Sequence, residues 1–161
     1  MNGRLDQASH LVGRFFGHVR AVPPSPNDQK FVRDHLEGLC AKLFWSQSFP
    51  DQRHAVDVAR RVSAALPGDS GAVEAALLHD IGKVQASAGA VSRSVATILD
   101  AAGMPMTKRM RSYRDHGRNG AAVLEEAGCD PLAVAFARYH PGPAPEGTDP
   151  MRWRVLNDAD G

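Results

Sequence analysis

The chain has 161 residues, 43% of them apolar and 23% charged, which is the size of one ordinary domain with a single core. Nineteen Lys and Arg against eighteen Asp and Glu leave a formal charge of +1. That balance excludes a strong global field and argues against binding a nucleic-acid polymer or coating a membrane surface. Aromatics are only 6% of the chain, which favours helices over a β-sandwich. No stretch approaches the ~20 apolar residues of a bilayer span, and the amino-terminal segment lacks the apolar run of a signal peptide. Cys40 and Cys129 are too far apart in sequence to read as a disulfide framework or a paired zinc motif. The expectation is a soluble cytoplasmic chain with two reduced thiols.

Leu5, Ala8, Val12, Phe15, Phe16 and Val19 recur at helical spacing, and Pro23, Pro24 and Pro26 end that pattern. A second amphipathic stretch carries Val32, Leu36, Leu39, Cys40, Leu43 and Phe44 on one side. Ser48 before Pro50 predicts the start of a helix that runs to about Leu66 and stops at Pro67-Gly68. Ser70 caps a predicted helix reaching His79-Asp80, with Gly82 at its end. Ala90 to Ala102 reads as another helix, and residues 104–115 are basic and irregular. Gly117 to Ala127 is predicted helical, closed by Gly128, and Pro131 starts a helix reaching His140. A Pro- and Gly-rich loop from Pro141 to Pro150 precedes a last helix, Met151 to Asp160. Together these imply an all-α, single-domain helical bundle, with residues 1–49 as a helical extension packed on the core. The N-terminal helices are candidates either to shape a pocket or to mediate homodimerisation through exposed Phe15, Phe16 and Trp45.

Seven histidines is a high count for this length. His54, Asp80, His116, His140 and Asp160 fall in line with apolar residues at helical spacing, so each points along a core-facing stripe. His79 joins them at a helix end. Burying that many ionisable groups without partners would cost several kcal/mol. Shared coordination of a cation removes the cost. Imidazole with carboxylate suits one or two transition-metal ions (Fe, Mn, Zn, Co or Ni) rather than Ca or Mg alone. Asp158 and Asp160 cannot share one helix face, and Asp160 fits the stripe of Trp153 and Leu156. His10, His18 and His35 lie outside the pattern.

The run Ala75-Ala76-Leu77-Leu78-His79-Asp80-Ile81-Gly82-Lys83 resembles the signature segment of the HD-domain metal-dependent phosphohydrolase superfamily. Arg53-His54 and the residues after it resemble the first-histidine helix of that family. Asp115-His116 with Gly120-Ala121, Ala137 to His140, and Leu156 to Asp160 resemble its later segments in the same order. The resemblance covers about residues 50–161, which it marks as an HD domain. It implies that His54, His79, Asp80 and Asp160 hold one metal. His116 and His140 add a second, with Asp80 bridging. Asp80 and Lys83 are the implied catalytic residues, and Lys83, Arg53 and Arg114 are candidates to attract phosphate; Arg60 and Arg61 read as solvated charges or as residues that steer an anionic substrate. Asp57, one turn from His54, is a candidate to orient it.

The implied activity is hydrolysis of a phosphate mono- or diester of a small molecule or nucleotide by metal-activated water. Two alternatives stay open: a di-iron oxygenase on the same scaffold, and a non-catalytic metal- or ligand-binding module. The Gly-Tyr-Pro element of cyclic-dinucleotide phosphodiesterases is missing between His79 and His140, and Pro141 follows His140 where relatives often carry another histidine.

Overall fold

The structure is a computed structural model, and it describes residues 22–82 and 119–161. Among these residues it contains seven helices and no strand. They are α1 (Pro26–His35), α2 (Gly38–Trp45), α3 (Phe49–Ala65), α4 (Ser70–Leu78), α5 (Asn119–Glu126), α6 (Pro131–Tyr139) and α7 (Pro150–Asp160). Among the described residues the all-α expectation therefore holds. The helix signals at Leu5 to Val19 and at Ala90 to Ala102, and the basic stretch 104–115, lie outside the described residues.

Local chemistry sets most helix starts. Ser25 and Asp28 form a reciprocal capping box ahead of Pro26. Ser48 caps α3 through the Asp51 amide, with Pro50 in the first turn. Asp130 and Asp149 cap α6 and α7, each ahead of a proline. At α4 the cap is Asp69, whose carboxylate accepts from the Ala72 amide at 3.0 Å, and Ser70 is the first helical residue instead.

The second amphipathic stretch divides into two helices. Leu36 is extended, and Gly38 takes a φ of 54°, a left-handed conformation that glycine adopts without steric cost. The apolar stripe survives the break because Val32, Leu36, Leu43 and Phe44 all remain buried. Trp45 is half-buried rather than exposed, and its ring meets Phe44 edge-on at 4.9 Å. Phe15 and Phe16 lie outside the described residues.

Helix α4 is the centre of the bundle. It packs against α1, α2, α3, α6 and α7. Seven of its nine residues are buried, as expected of a helix surrounded by others. Its carboxyl end therefore delivers His79 and Asp80 to the middle of the fold. At that end α5 comes very close. A Cβ on Gly120 would lie 2.7 Å from the Gly82 nitrogen, so only glycine permits the approach.

The two cysteines are not free. Cys40 of α2 and Cys129, in the turn before α6, form a disulfide with their Cα atoms 5.9 Å apart. Their separation of 89 positions hid the pairing, which depends on α2 lying beside the α5–α6 turn. No helix among the described residues is long and apolar enough to cross a membrane.

Candidate metal centre

Four elements bring five of the expected residues together. His54 comes from α3, His79 and Asp80 from the end of α4, His140 from the end of α6, and Asp160 from the last residue of α7. The Asp160 Oδ1 lies 3.1 Å from the Nε2 of both His54 and His79. The His79 Nε2 is 3.5 Å from Asp80 Oδ2, and the His140 Nε2 is 3.9 Å from Asp80 Oδ1. One ligand atom from each of His54, His79 and Asp80 lies within 4.8 Å of the others, and the same is true of His79, His140 and Asp160. His79 belongs to both sets.

Ring orientation is fixed by the backbone. The His79 Nδ1 donates to the Ala76 carbonyl at 2.7 Å, and the His140 Nδ1 donates to the Phe136 carbonyl at 2.8 Å. Each ring thus turns Nε2 inward, the way metal-ligating imidazoles are commonly held. Phe136 is fully buried and backs both rings, with centroids at 6.1 and 4.8 Å.

These contacts also test the fit to a cation. With Nδ1 protonated, the Nε2 of a neutral His79 presents a lone pair to two carboxylates. The atom is buried and makes no hydrogen bond of good geometry. A proton or a positive ion among these groups removes the repulsion, and the nitrogen and oxygen donor set suits a transition metal. The residues present fit such an ion.

The electrostatics follow. Burial works against a charged His79, but the Asp160 and Asp80 carboxylates and the Ala76 carbonyl outweigh it and raise its pKa. His79 and then His54 hold the Asp160 carboxyl far below the usual carboxylate range, against the effect of burial. Burial, with the neighbouring His79, lowers the pKa of His140.

The other expected residues fall out differently. His54 is 44% exposed in its side chain, so it rims the cluster and does not face the core as its stripe implied. Asp57 is exposed and makes no hydrogen bond to His54. Asp158 is exposed, whereas Asp160 turns inward. Arg53 donates to the Val22 carbonyl. Arg60 pairs with Asp28 at 2.9 Å and covers Phe31, tying α1 to α3. Lys83, Arg114 and His116 lie outside the described residues. His35 bonds the Phe31 carbonyl within its own helix, as an incidental histidine would.

Arg61, expected as a solvated or substrate-steering charge, instead donates to the Ala159 carbonyl at 2.8 Å and anchors the last turn of α7 beside Asp160. Glu74, which no motif in the sequence singles out, lies with the paired cysteines in a group of potential ligands. Arg61 sits two turns past His54 on α3, a spacing that points toward whatever packs on that face.

Comparison with protein-family models, with curated proteins and with solved structures gives no match. The fold and the cluster define the class: a protein that is helical throughout its described elements, with side chains placed where they could chelate a metal ion.

Proposed function

We propose that this chain is a metal-dependent phosphohydrolase of the HD-domain type, acting on a phosphate mono- or diester of a small molecule or nucleotide. The convergence of three histidine Nε2 atoms and two carboxylates from four separate elements supports this reading. His54, His79, Asp80 and Asp160 would hold one ion. His140, together with His116, would hold a second, with Asp80 shared. Residues 50–161 would form the HD domain and residues 1–49 its extension.

A bound transition metal lowers the pKa of a coordinated water and draws charge from phosphoryl oxygens. The protein's own groups do the rest. The Ala76 and Phe136 carbonyls keep the Nε2 atoms of His79 and His140 turned inward. Asp80, 4% exposed in its side chain, supplies negative charge from a dry position, where electrostatic interactions are stronger than in water. Lys83 would pair with the substrate phosphate just beyond Gly82, with Arg53 and Arg114 completing the anion-binding set. With a formal charge of only +1, attraction of phosphate must be local, which favours a small substrate over a polymer.

The test is a screen of phosphomonoesters, phosphodiesters and nucleotides with Mn- or Co-reconstituted protein under anaerobic conditions. Hydrolysis of at least one ester by the wild type (phosphate release from a monoester, alcohol and monoester release from a diester), and none by Asp80→Ala with intact helical circular dichroism, is expected. No hydrolysis of any ester would contradict the reading. Oxygen consumption by the iron-loaded protein would assign the di-iron oxygenase chemistry instead.

A further inference from the structure

We propose that Cys40, Cys129 and Glu74 form a second cation site when the disulfide is reduced, separate from the histidine centre and selective for thiophilic divalent ions such as Zn2+. The two sulfurs and a Glu74 carboxylate oxygen lie within 4.8 Å of one another. They come from α2, α4 and the turn before α6, so the bundle assembles the group without help from a single flexible loop.

Glu74 is the only charged residue of α4, whose remaining residues are Ser, Gly, Ala, Val and Leu. Its Oε1 accepts from the Asp130 amide at 2.7 Å, which fixes the carboxyl next to Cys129. It makes no ion pair among the described residues. Burial pushes its carboxyl above the ordinary range, as expected of an acid without a facing cation. The hydrogen bond to Asp130 alone explains one oxygen. The placement of the carboxyl against two sulfurs is what a cation would use.

Thiolates select Zn2+ and softer ions, and two sulfurs with one carboxylate leave a fourth tetrahedral position for water. The redox step balances with a low-molecular-weight thiol. Two such thiols reduce the protein disulfide, breaking its S–S bond and forming one in the small disulfide. As the ion binds, two thiol protons leave to solvent and two sulfur–metal bonds form. A low-molecular-weight disulfide reverses the sequence: it takes two electrons from the cysteines, the protein S–S bond reforms, and the ion is released.

The experiment adds Co2+ to the full chain, oxidised or reduced with a phosphine, and records the thiolate-to-cobalt charge-transfer band. The histidine centre contains no sulfur and cannot give this band, so the outcome is independent of the phosphohydrolase reading. The band is expected in the reduced chain and absent from the oxidised one. It is also expected to disappear on adding Zn2+ and to be missing from Cys40→Ser/Cys129→Ser. Glu74→Gln should keep the band and bind Co2+ about tenfold or more weakly. The proposal is overturned by a reduced wild type with no band, or by an equal band in the serine variant. Unchanged Co2+ affinity in Glu74→Gln, or loss of helical circular dichroism on reduction, overturns it as well. The comparison of oxidised and reduced wild type needs no variant to fold.

Discussion

His54 and Asp160 are 106 positions apart, yet the Nε2 of one lies 3.1 Å from the Oδ1 of the other. The contact joins α3 to the final residue of α7, and the same oxygen is 3.1 Å from His79. Asp160 is therefore the group that gathers the rim histidine and the buried one.

Asp160→Asn is expected to weaken transition-metal binding by about tenfold or more, since even an outer partner of a ligand is worth roughly 10–100-fold. Asp158→Asn, on an exposed side chain, should leave affinity unchanged. Isothermal titration of both variants checks the pair. Equal losses in the two would remove Asp160 from the cluster.

In the metal-free protein, His79 should titrate above the ordinary imidazole value of about 6.5 and His140 below it. The signs for stability differ accordingly. The contribution of charged His79 is fully present below about pH 6.5 and is lost as pH rises through its raised folded value. The contribution of neutral His140 is present above about pH 6.5 and is lost as pH falls through its lowered value. Asp160 adds stability above about pH 3.9, lost as pH falls toward its depressed folded value. Histidine ring NMR titrations, with denaturant unfolding across pH, read both effects. Two histidines titrating together near 6.5 would contradict them.

Much of the fold is legible in the sequence because its punctuation is local. Ser48 with Pro50, Pro131, Pro67-Gly68 and Gly128 mark helix ends that the structure reproduces within a residue or two. Asp80 and Asp160 are visible as ionisable groups in line with apolar neighbours, and His79 as the residue beside Asp80 at a helix end. Long-range facts are less legible. Pairing of Cys40 with Cys129 depends on how α2 meets the α5–α6 turn, and no spacing encodes that. The break at Leu36 to Gly38 hides inside an unbroken apolar stripe, because a short helix-to-helix turn preserved the buried side. His54 lies on the stripe by period but at the bundle's edge, so periodicity gave its direction and not its exposure.

Gly120→Ala should destabilise the protein by about 1–3 kcal/mol, the usual cost of forcing a methyl group into a filled space. The clash falls on the Gly82 backbone, which has no side chain to move aside. Urea unfolding midpoints measure it. A neutral effect would mean that α5 can shift away from Gly82 at no cost.

Reducing the disulfide should lower stability. Closing a loop of 89 residues limits the unfolded chain by about 4–5 kcal/mol in the chain-entropy model. That figure is an upper bound, because unfolded-state structure reduces it. The thermal midpoint is expected to fall on reduction, and Zn2+ added to the reduced chain should restore part of the loss. No change on reduction would show that the cross-link does not constrain the unfolded chain.

Metal content reports most directly on the cluster of His54, His79, Asp80, His140 and Asp160. The oxidised chain, with both sulfurs tied in the disulfide, is incubated with Mn2+ or Fe2+, desalted and analysed for metal. Stoichiometric retention by the wild type and near-complete loss in folded His79→Ala/Asp160→Ala is the expected result. A wild type that retains no metal, or a double variant that retains as much as the wild type, would contradict a metal centre at these residues.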